Sequence, residues 1–164
     1  MSSVLRQLAE GEQEDGVFSI TNFTTVAIRR STLGRKMRSL WPIERDVLEA
    51  AAVAHPACIV ELRQQAEMAK VVDFHNSGAG FVSALIVDCC APAIAESSPL
   101  DGPSGDVSGI DVEMGFIVFL KDGRLDAIEG FCYGESSTNA VDFSSVAYRL
   151  TAFGPKQNVA IDPQ

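Results

Sequence analysis

The strongest local constraint on the fold is the dipeptide Asp122-Gly123, which separates two runs of apolar and β-branched residues. Asp-Gly between such runs favours a two-residue type I′ turn, because both turn positions require positive φ angles. The segment 112–134 is therefore predicted to form a β-hairpin. In the two-residue register Phe116 lies opposite Glu129, and both side chains face the core. A three-residue loop with a glycine bulge is the alternative, and it shifts the register by one.

Two helices are predicted upstream of the hairpin. Residues 42–54 begin with Pro42, whose missing N–H costs nothing at the first helical position, and they place apolar residues at helical spacing. Trp41 precedes this helix and offers no side-chain acceptor to its first turn. Residues 57–67 also show helical spacing. The tight connection at Pro56 then predicts an αα-hairpin.

The hydrophobic period changes to two after the second helix. Residues 70–75 and 81–88 are predicted strands around a Gly-rich turn, and residues 143–153 are a last strand whose spacing also allows a helix. Residues 92–109 are rich in Pro and Gly, and we expect a loop that is mobile or forms a functional lid. The sum is an α+β fold, in which an N-terminal αα-hairpin packs on one face of a four- to five-stranded, mainly antiparallel sheet.

The length of 164 residues fits a single folded domain with short flanking segments. Residues 1–35 are predicted to be an N-terminal extension with a short helix, candidate strands and a basic connector. Residues 36–154 form the single α+β domain of this prediction. Residues 155–164 are a tail.

The chain is acidic, with 22 Asp and Glu against 13 Lys and Arg and a net charge of -9. This balance disfavours nucleic-acid binding, which requires cations to neutralise phosphates, and it favours a basic protein partner. The segment 29–38 is an exception, since it holds five cations and no acid. It is either an arm for an anionic partner or a solvated connector, and the lack of an interleaved aromatic residue favours the connector. Its cations are Arg29, Arg30, Arg35, Lys36 and Arg38.

No apolar run approaches the roughly 18 residues that a membrane span needs. The N-terminus shows no apolar signal-peptide core, so we expect a cytoplasmic protein without membrane contact. The cysteines Cys58, Cys89, Cys90 and Cys132 form no C-x-x-C pair, and reduced thiols are the expectation. Adjacent Cys89 and Cys90 are not expected to share a tetrahedral metal without strain. The sequence therefore predicts neither a metal nor a cofactor.

Glu129 is the chief candidate for a functional side chain. The usual hydrolase, P-loop and zinc-protease motifs are absent from the sequence, which leaves enzyme activity open and weighs against it. An acid on the core face must find a donor or take a raised pKa, and the raised pKa suits a general acid, a general base or a polar anchor in a pocket. The favoured alternative is that Glu129 is held by a structural salt bridge or hydrogen bond and has no functional role. The donors expected by face are Arg45, Arg63, Arg149 and Tyr148.

Asp73 and His75 are the candidate ligand-binding pair. They lie two positions apart on a predicted strand, so their side chains share one face and could hold a metal ion together with a third ligand. A plain polar strand face is the favoured interpretation.

A helix start and a hairpin motif lie at the two ends of the segment 36–134. The residues concerned are Arg38, Leu40, Pro42, Glu44, Val118, Asp122, Gly123, Leu125, Ile128, Glu129, Tyr133 and Gly134. They resemble an uncharacterised bacterial family of small α+β domains, with an Arg-Pro-Leu-Thr-type helix start and an Asp-Gly-x-Leu-x-x-Leu-Glu hairpin. Trp41 replaces the capping Thr, and residues 76–80 replace a Cys-rich turn of some members. The resemblance thus implies a fold and a bacterial source, but neither a metal site nor an activity.

Two classes of function follow from these observations. The favoured one is a non-enzymatic bacterial protein-interaction module, of accessory or immunity type, that uses an acidic surface. The alternative is a small-ligand-binding or hydrolytic domain with a pocket around Glu129. A deep pocket beside an unpartnered Glu129 favours the second class, and a solid core with a broad acidic face favours the first. The substrate, the partner and the oligomeric state stay open.

Overall fold

The computed structural model describes residues 36–151, which form two α-helices followed by six β-strands. The predicted extension 1–35 and tail 155–164 lie outside this range. The helices are α1 (Pro42–Ala54) and α2 (Ile59–Met68), separated by a 3-10 turn at Pro56–Cys58. The strands are β1 (Lys70–Asn76), β2 (Gly80–Ile86), β3 (Leu100–Val107), β4 (Met114–Lys121), β5 (Arg124–Cys132) and β6 (Tyr148–Thr151).

The strands form one sheet in the order β1-β2-β5-β4-β3-β6, and every neighbouring pair is antiparallel. The helices contact each other; α1 also contacts β3, β4 and β6, while α2 contacts β5. The predicted α+β class is confirmed, and the predicted strand number of four to five is wrong. Among the helices of residues 36–151, none is long and apolar enough to cross a bilayer.

The additional strand β3 lies in the segment 92–109, which was expected to be a mobile loop or lid. Leu100 and Val107 at its ends are buried, and β3 pairs with β4 on one side and β6 on the other. Its Gly and Pro content gives it a low strand propensity. The close approach of β6 explains one of these glycines, because a Cβ atom on Gly105 would lie 2.2 Å from the Arg149 carbonyl oxygen.

The β4–β5 turn agrees with the prediction. Asp122 and Gly123 have φ angles of 51° and 70°, as the two central positions of a type I′ turn require. Leu120 lies opposite Leu125, which is the two-residue register.

A bulge follows in β5 and changes the rest of the hairpin. Phe119 lies opposite Ala127, so β5 contains one more residue than β4 across this step. Beyond the bulge Glu129 lies opposite Ile117 and not opposite Phe116. The predicted pairing is therefore wrong, because a bulge inside the strand shifts the register that the turn sets.

The apolar stripe of α1 is buried as its helical spacing predicts, with Ile43, Val47, Leu48, Ala51 and Ala52 in the core. Trp41 is partly buried against this core. The guanidinium carbon of Arg38 lies 3.4 Å from the centroid of its ring, and the ring meets Phe74 edge to face at 4.7 Å. Trp41 thus packs tightly, although its side chain caps nothing.

Glu44 is a fully buried carboxylate in the first turn of α1. Arg38 donates two hydrogen bonds to it, both of 2.7 Å, and the Trp41 backbone N–H donates a third of 2.7 Å. The hydroxyl of Ser83 on β2 donates a fourth. The charge is therefore paired and its oxygens are satisfied, which is the condition for burying a carboxylate.

Gln65 is a fully buried amide on α2 that connects this helix to the β4–β5 turn. Its nitrogen donates to the carbonyl oxygens of Pro92 at 2.6 Å and Gly123 at 2.9 Å. Its oxygen accepts the backbone N–H of Leu125 at 2.9 Å. One side chain thus satisfies three backbone groups from two separate segments.

Candidate functional site

The two faces of the sheet differ in what covers them. The side chain of Ser83 reaches Glu44 on α1, so the neighbouring residue Val82 points to the opposite face. Val82 pairs with Glu129, which in turn pairs with Ile117, and directly paired residues share a face. We call this side the outer face. Its apolar and acidic residues include Asp73, Val82, Ala84, Ile86, Asp101, Asp106, Ile117, Phe119, Ala127, Glu129 and Phe131, and it also holds His75 and the cations Lys70 and Arg149.

All three candidate residues from the sequence lie on the outer face. His75 and Glu129 pair with Val82 from its two sides, so their backbones are two strand spacings, or about 10 Å, apart. Asp73 lies in the next row, opposite Ala84. Within residues 36–151 no third ligand joins Asp73 and His75 in a metal-type cluster. The structure thus places the candidates on one surface and does not bring them into one site.

Glu129 is half-buried and lies between two apolar neighbours, Val82 and Ile117. In the part of the chain that the structure describes, its carboxylate has neither a hydrogen bond nor an ion pair. Burial away from water raises the pKa of Glu129 above its ordinary value. The bulge in β5 is the cause of this placement, because it turns Glu129 from the core to the outer face.

The donors predicted for Glu129 are therefore wrong. The Tyr148 hydroxyl donates instead to Asp46 on α1 at 2.7 Å, and burial together with this bond raises the pKa of Tyr148 to about 12. Arg63 forms an ion pair with Glu49. Neither these two side chains nor Arg45 and Arg149 hydrogen-bond to Glu129.

An aromatic pair lies beside Glu129 along β5. The rings of Phe131 and Tyr133 meet edge to face with centroids 5.2 Å apart, and Tyr133 is 56% exposed. Both rings lie across β4 at Gly115, where a Cβ atom would be 2.6 Å from Cζ of Phe131 and 2.7 Å from the Tyr133 hydroxyl. The glycine therefore makes room for the pair. Sequence reasoning missed this feature, and its one signal was a glycine inside an otherwise apolar strand.

Large apolar side chains on the outer face are open to solvent. Val82 is 40% exposed and Ile86 is 48% exposed. Ile117, Phe119 and Phe131 are partly exposed. Grouped exposed apolar residues of this kind are typical of interaction surfaces.

A cleft of about 390 Å³ lies elsewhere, along β1. Glu129 is not among its lining residues, so this cleft is not the pocket that the alternative function requires. The lining residues are Lys36, Arg38, Val71, Val72, Asp73 and Phe74.

The described residues account for the whole net charge of -9. Residues 36–151 hold 17 of the 22 acidic side chains and 8 of the 13 basic ones. Two of these cations, Arg38 and Arg63, are paired with Glu44 and Glu49. Most of the carboxylates thus remain available to attract a cationic partner.

Comparison with protein-family models, curated proteins and solved structures finds no match to this chain. The resemblance to a bacterial family stays a prediction. The evidence on function is therefore the geometry of the chain itself.

The free energy of unfolding of Glu129→Gln is expected to equal or exceed that of the unchanged protein at neutral pH. A carboxyl whose pKa is raised by folding destabilises the folded state once it ionises, so stability falls as pH rises above the ordinary glutamate range. The variant lacks this fall, and the two proteins converge at acidic pH. Urea titrations at several pH values measure the difference.

Glu49→Gln is the control for this prediction, because it is expected to lower the free energy of unfolding at neutral pH. The hydrogen bond from Arg63 lowers the pKa of Glu49, so its ionised form stabilises the fold, and that stabilisation is lost as pH falls. A loss of stability at neutral pH in Glu129→Gln would contradict our description of Glu129 and require a donor for it.

Proposed function

We propose that this chain is a non-enzymatic protein-interaction module that binds a basic protein through the outer face. Glu129 is the charged anchor, and it pairs with an arginine or lysine of the partner. Val82, Ile86 and the Phe131–Tyr133 pair supply the surrounding apolar contacts. The proposed class is the accessory or immunity type of a bacterial, cytoplasmic protein.

The observation that carries this proposal is the unpaired carboxylate of Glu129 in an apolar surface. Such a group is costly in the free molecule because it is half-desolvated and has no donor among the described residues. A cation from a partner removes that cost and forms a charge-assisted hydrogen bond shielded from water. An exposed aromatic on the same surface, such as Tyr133, is typical of the residues that dominate binding energy.

The partner chemistry follows from the charge. Carboxylates outnumber cations about two to one in residues 36–151, and Asp101 flanks Ile117 on the side opposite Glu129. A negative surface steers positively charged proteins toward it and repels acidic ones. We therefore expect a partner that presents a cation within an apolar patch.

The alternative function, a small-ligand-binding or hydrolytic domain, is the weaker proposal. It needs an enclosed space beside Glu129, and the described cleft lies at β1. In the favoured proposal the two helices act as an αα-hairpin that supports the sheet from behind, which leaves the outer face for the partner.

The test is affinity capture from native cell extract with the full chain as bait, compared between two variants. Ile86→Asp places a charge in the outer face, and Val60→Asp makes the same kind of change at a 58% exposed position of α2. The proposal expects a basic protein that the unchanged chain and Val60→Asp both retain. Ile86→Asp is expected to weaken its binding by at least about tenfold, as the loss of an apolar contact within a binding surface does.

Glu129→Lys and high salt complete the experiment. Charge reversal at Glu129 is expected to abolish capture, and salt is expected to weaken it because part of the attraction is electrostatic. Capture of the same proteins by Ile86→Asp and by the unchanged chain would overturn the assignment of the outer face. Binding that is lost in Val60→Asp and kept in Ile86→Asp would place the binding surface on the helices instead of the outer face.

A further inference from the structure

Three consecutive side chains after β2 form a compact group of metal-ligand atoms. A carboxylate oxygen of Asp88 and the sulfur atoms of Cys89 and Cys90 all lie within 4.8 Å of one another, and all three residues are exposed. Both cysteines are free thiols. The group lies away from Glu129 in the sequence and plays no part in the proposed function.

The backbone around the group is held in place by contacts from other segments. Arg124 donates a hydrogen bond of 2.6 Å to the carbonyl oxygen of Cys89 and another of 3.4 Å to that of Ala91. The Cys90 N–H donates to the Asp88 carboxylate at 2.7 Å, and Ala91 N–H donates to the Asp88 carbonyl at 3.0 Å. The positions of the two thiols therefore follow from a fixed turn.

The separation of the two sulfur atoms distinguishes a metal site from a disulfide. Cys89 Sγ and Cys90 Sγ are 4.0 Å apart. Two thiolates that each bind a zinc-sized ion at about 2.3 Å in tetrahedral geometry are about 3.8 Å apart. A disulfide requires about 2.05 Å, so the two sulfur atoms are not bonded to each other.

We propose that Asp88, Cys89 and Cys90 form a three-ligand site for a thiophilic divalent cation such as Zn²⁺, with water in the fourth position. Two thiolates and one carboxylate give the soft, anionic donor set that such ions prefer. Binding forms two metal–sulfur bonds and one metal–oxygen bond, and it releases the two thiol protons to solvent.

The probe is Cd²⁺, added to the full chain in the presence of a phosphine reductant. Its thiolate-to-metal absorption in the ultraviolet reports sulfur ligation directly, and competition by Zn²⁺ gives the relative affinity. The expected result is one ion per chain, two protons released per ion, and tighter binding as pH rises. Cys89→Ser and Cys90→Ser are each expected to weaken binding by at least about tenfold, and Asp88→Asn is expected to weaken it less.

Cys132→Ser is the matched control, because it removes a thiol that lies outside the group. It is expected to leave the stoichiometry and affinity unchanged. Exposure of Cys89 and Cys90 means that their serine variants keep the fold. The proposal is overturned by the absence of a thiolate band, by an unchanged band in Cys89→Ser and Cys90→Ser, or by one ion per two chains, which would indicate bridging between molecules.

Discussion

Replacement of Glu44 by alanine is expected to reduce the free energy of unfolding by about 3 kcal/mol. The substitution removes the acceptor for four hydrogen bonds at a position without solvent exposure. Arg38 then loses its counter-charge while a quarter of its side chain remains in contact with water, and the Ser83 hydroxyl loses its partner inside the protein. Equilibrium urea denaturation measures the change.

Glu49→Ala is the matched control on the same helix. Glu49 pairs with Arg63 at the surface, where both side chains are 49% exposed, and exposed pairs contribute less than about 1 kcal/mol. Equal losses in the Glu44 and Glu49 variants would show that the network around Glu44 is not what stabilises the packing of α1 on β2.

Replacement of Gln65 by leucine is expected to cost about 1–3 kcal/mol, although leucine is close in size and more apolar. The loss comes from the partners, since the buried Leu125 N–H loses its acceptor. The part-buried carbonyl oxygens of Pro92 and Gly123 also lose a donor, although the Ile94 N–H still donates to Gly123. The β4–β5 turn also loses its connection to α2. We therefore expect earlier hydrogen exchange at Leu125, besides the lower midpoint in urea.

Gln64→Leu tests the same chemical change one position away, where the side chain is exposed. It is expected to stay within about 0.5 kcal/mol of the unchanged protein. A loss at Gln65 no greater than at Gln64 would mean that water replaces the amide at those three backbone groups.

The parts of the fold that were predictable are those determined by local chemistry. The helix over Pro42–Ala54 follows from apolar spacing and an N-terminal proline, and the turn at Asp122 and Gly123 follows from the φ angles that these residues tolerate. Both depend on neighbours within a few positions, so a single sequence contains their information.

The parts that were not predictable depend on distant pairing. Strand β3 forms from a segment with low strand propensity because β4 and β6 flank it on both sides. The bulge between Leu125 and Ala127 has no recognisable signature in the amino-acid sequence. It nevertheless moves the side chain of Glu129 to the other face of the sheet. Glu129 was therefore assigned to the wrong face, although the raised pKa that the sequence allowed for it is present there for a different reason, its burial among outer-face neighbours.

The buried polar network shows the same limit. Glu44 looks like an ordinary first-turn acid that favours the helix dipole, and Gln65 looks like one of two equivalent surface glutamines. Their burial follows from where Ser83 and the β4–β5 turn arrive in space. Periodicity alone assigns such residues to solvent, because it contains no information about a polar partner on another element.

The main chain of Arg38 has a consequence for self-association. Among residues 36–151, β1 is the last strand on its side of the sheet, and the free N–H and C=O groups of such a strand can template pairing with another molecule. Arg38 exchanges hydrogen bonds of 3.1 Å and 2.9 Å with Val71 and so occupies that edge at one position. Arg38 thus pairs with Glu44 through its side chain and blocks part of the sheet edge through its backbone. A truncated chain that begins at Pro42 would leave Glu44 without its counter-charge and would also expose this part of the edge.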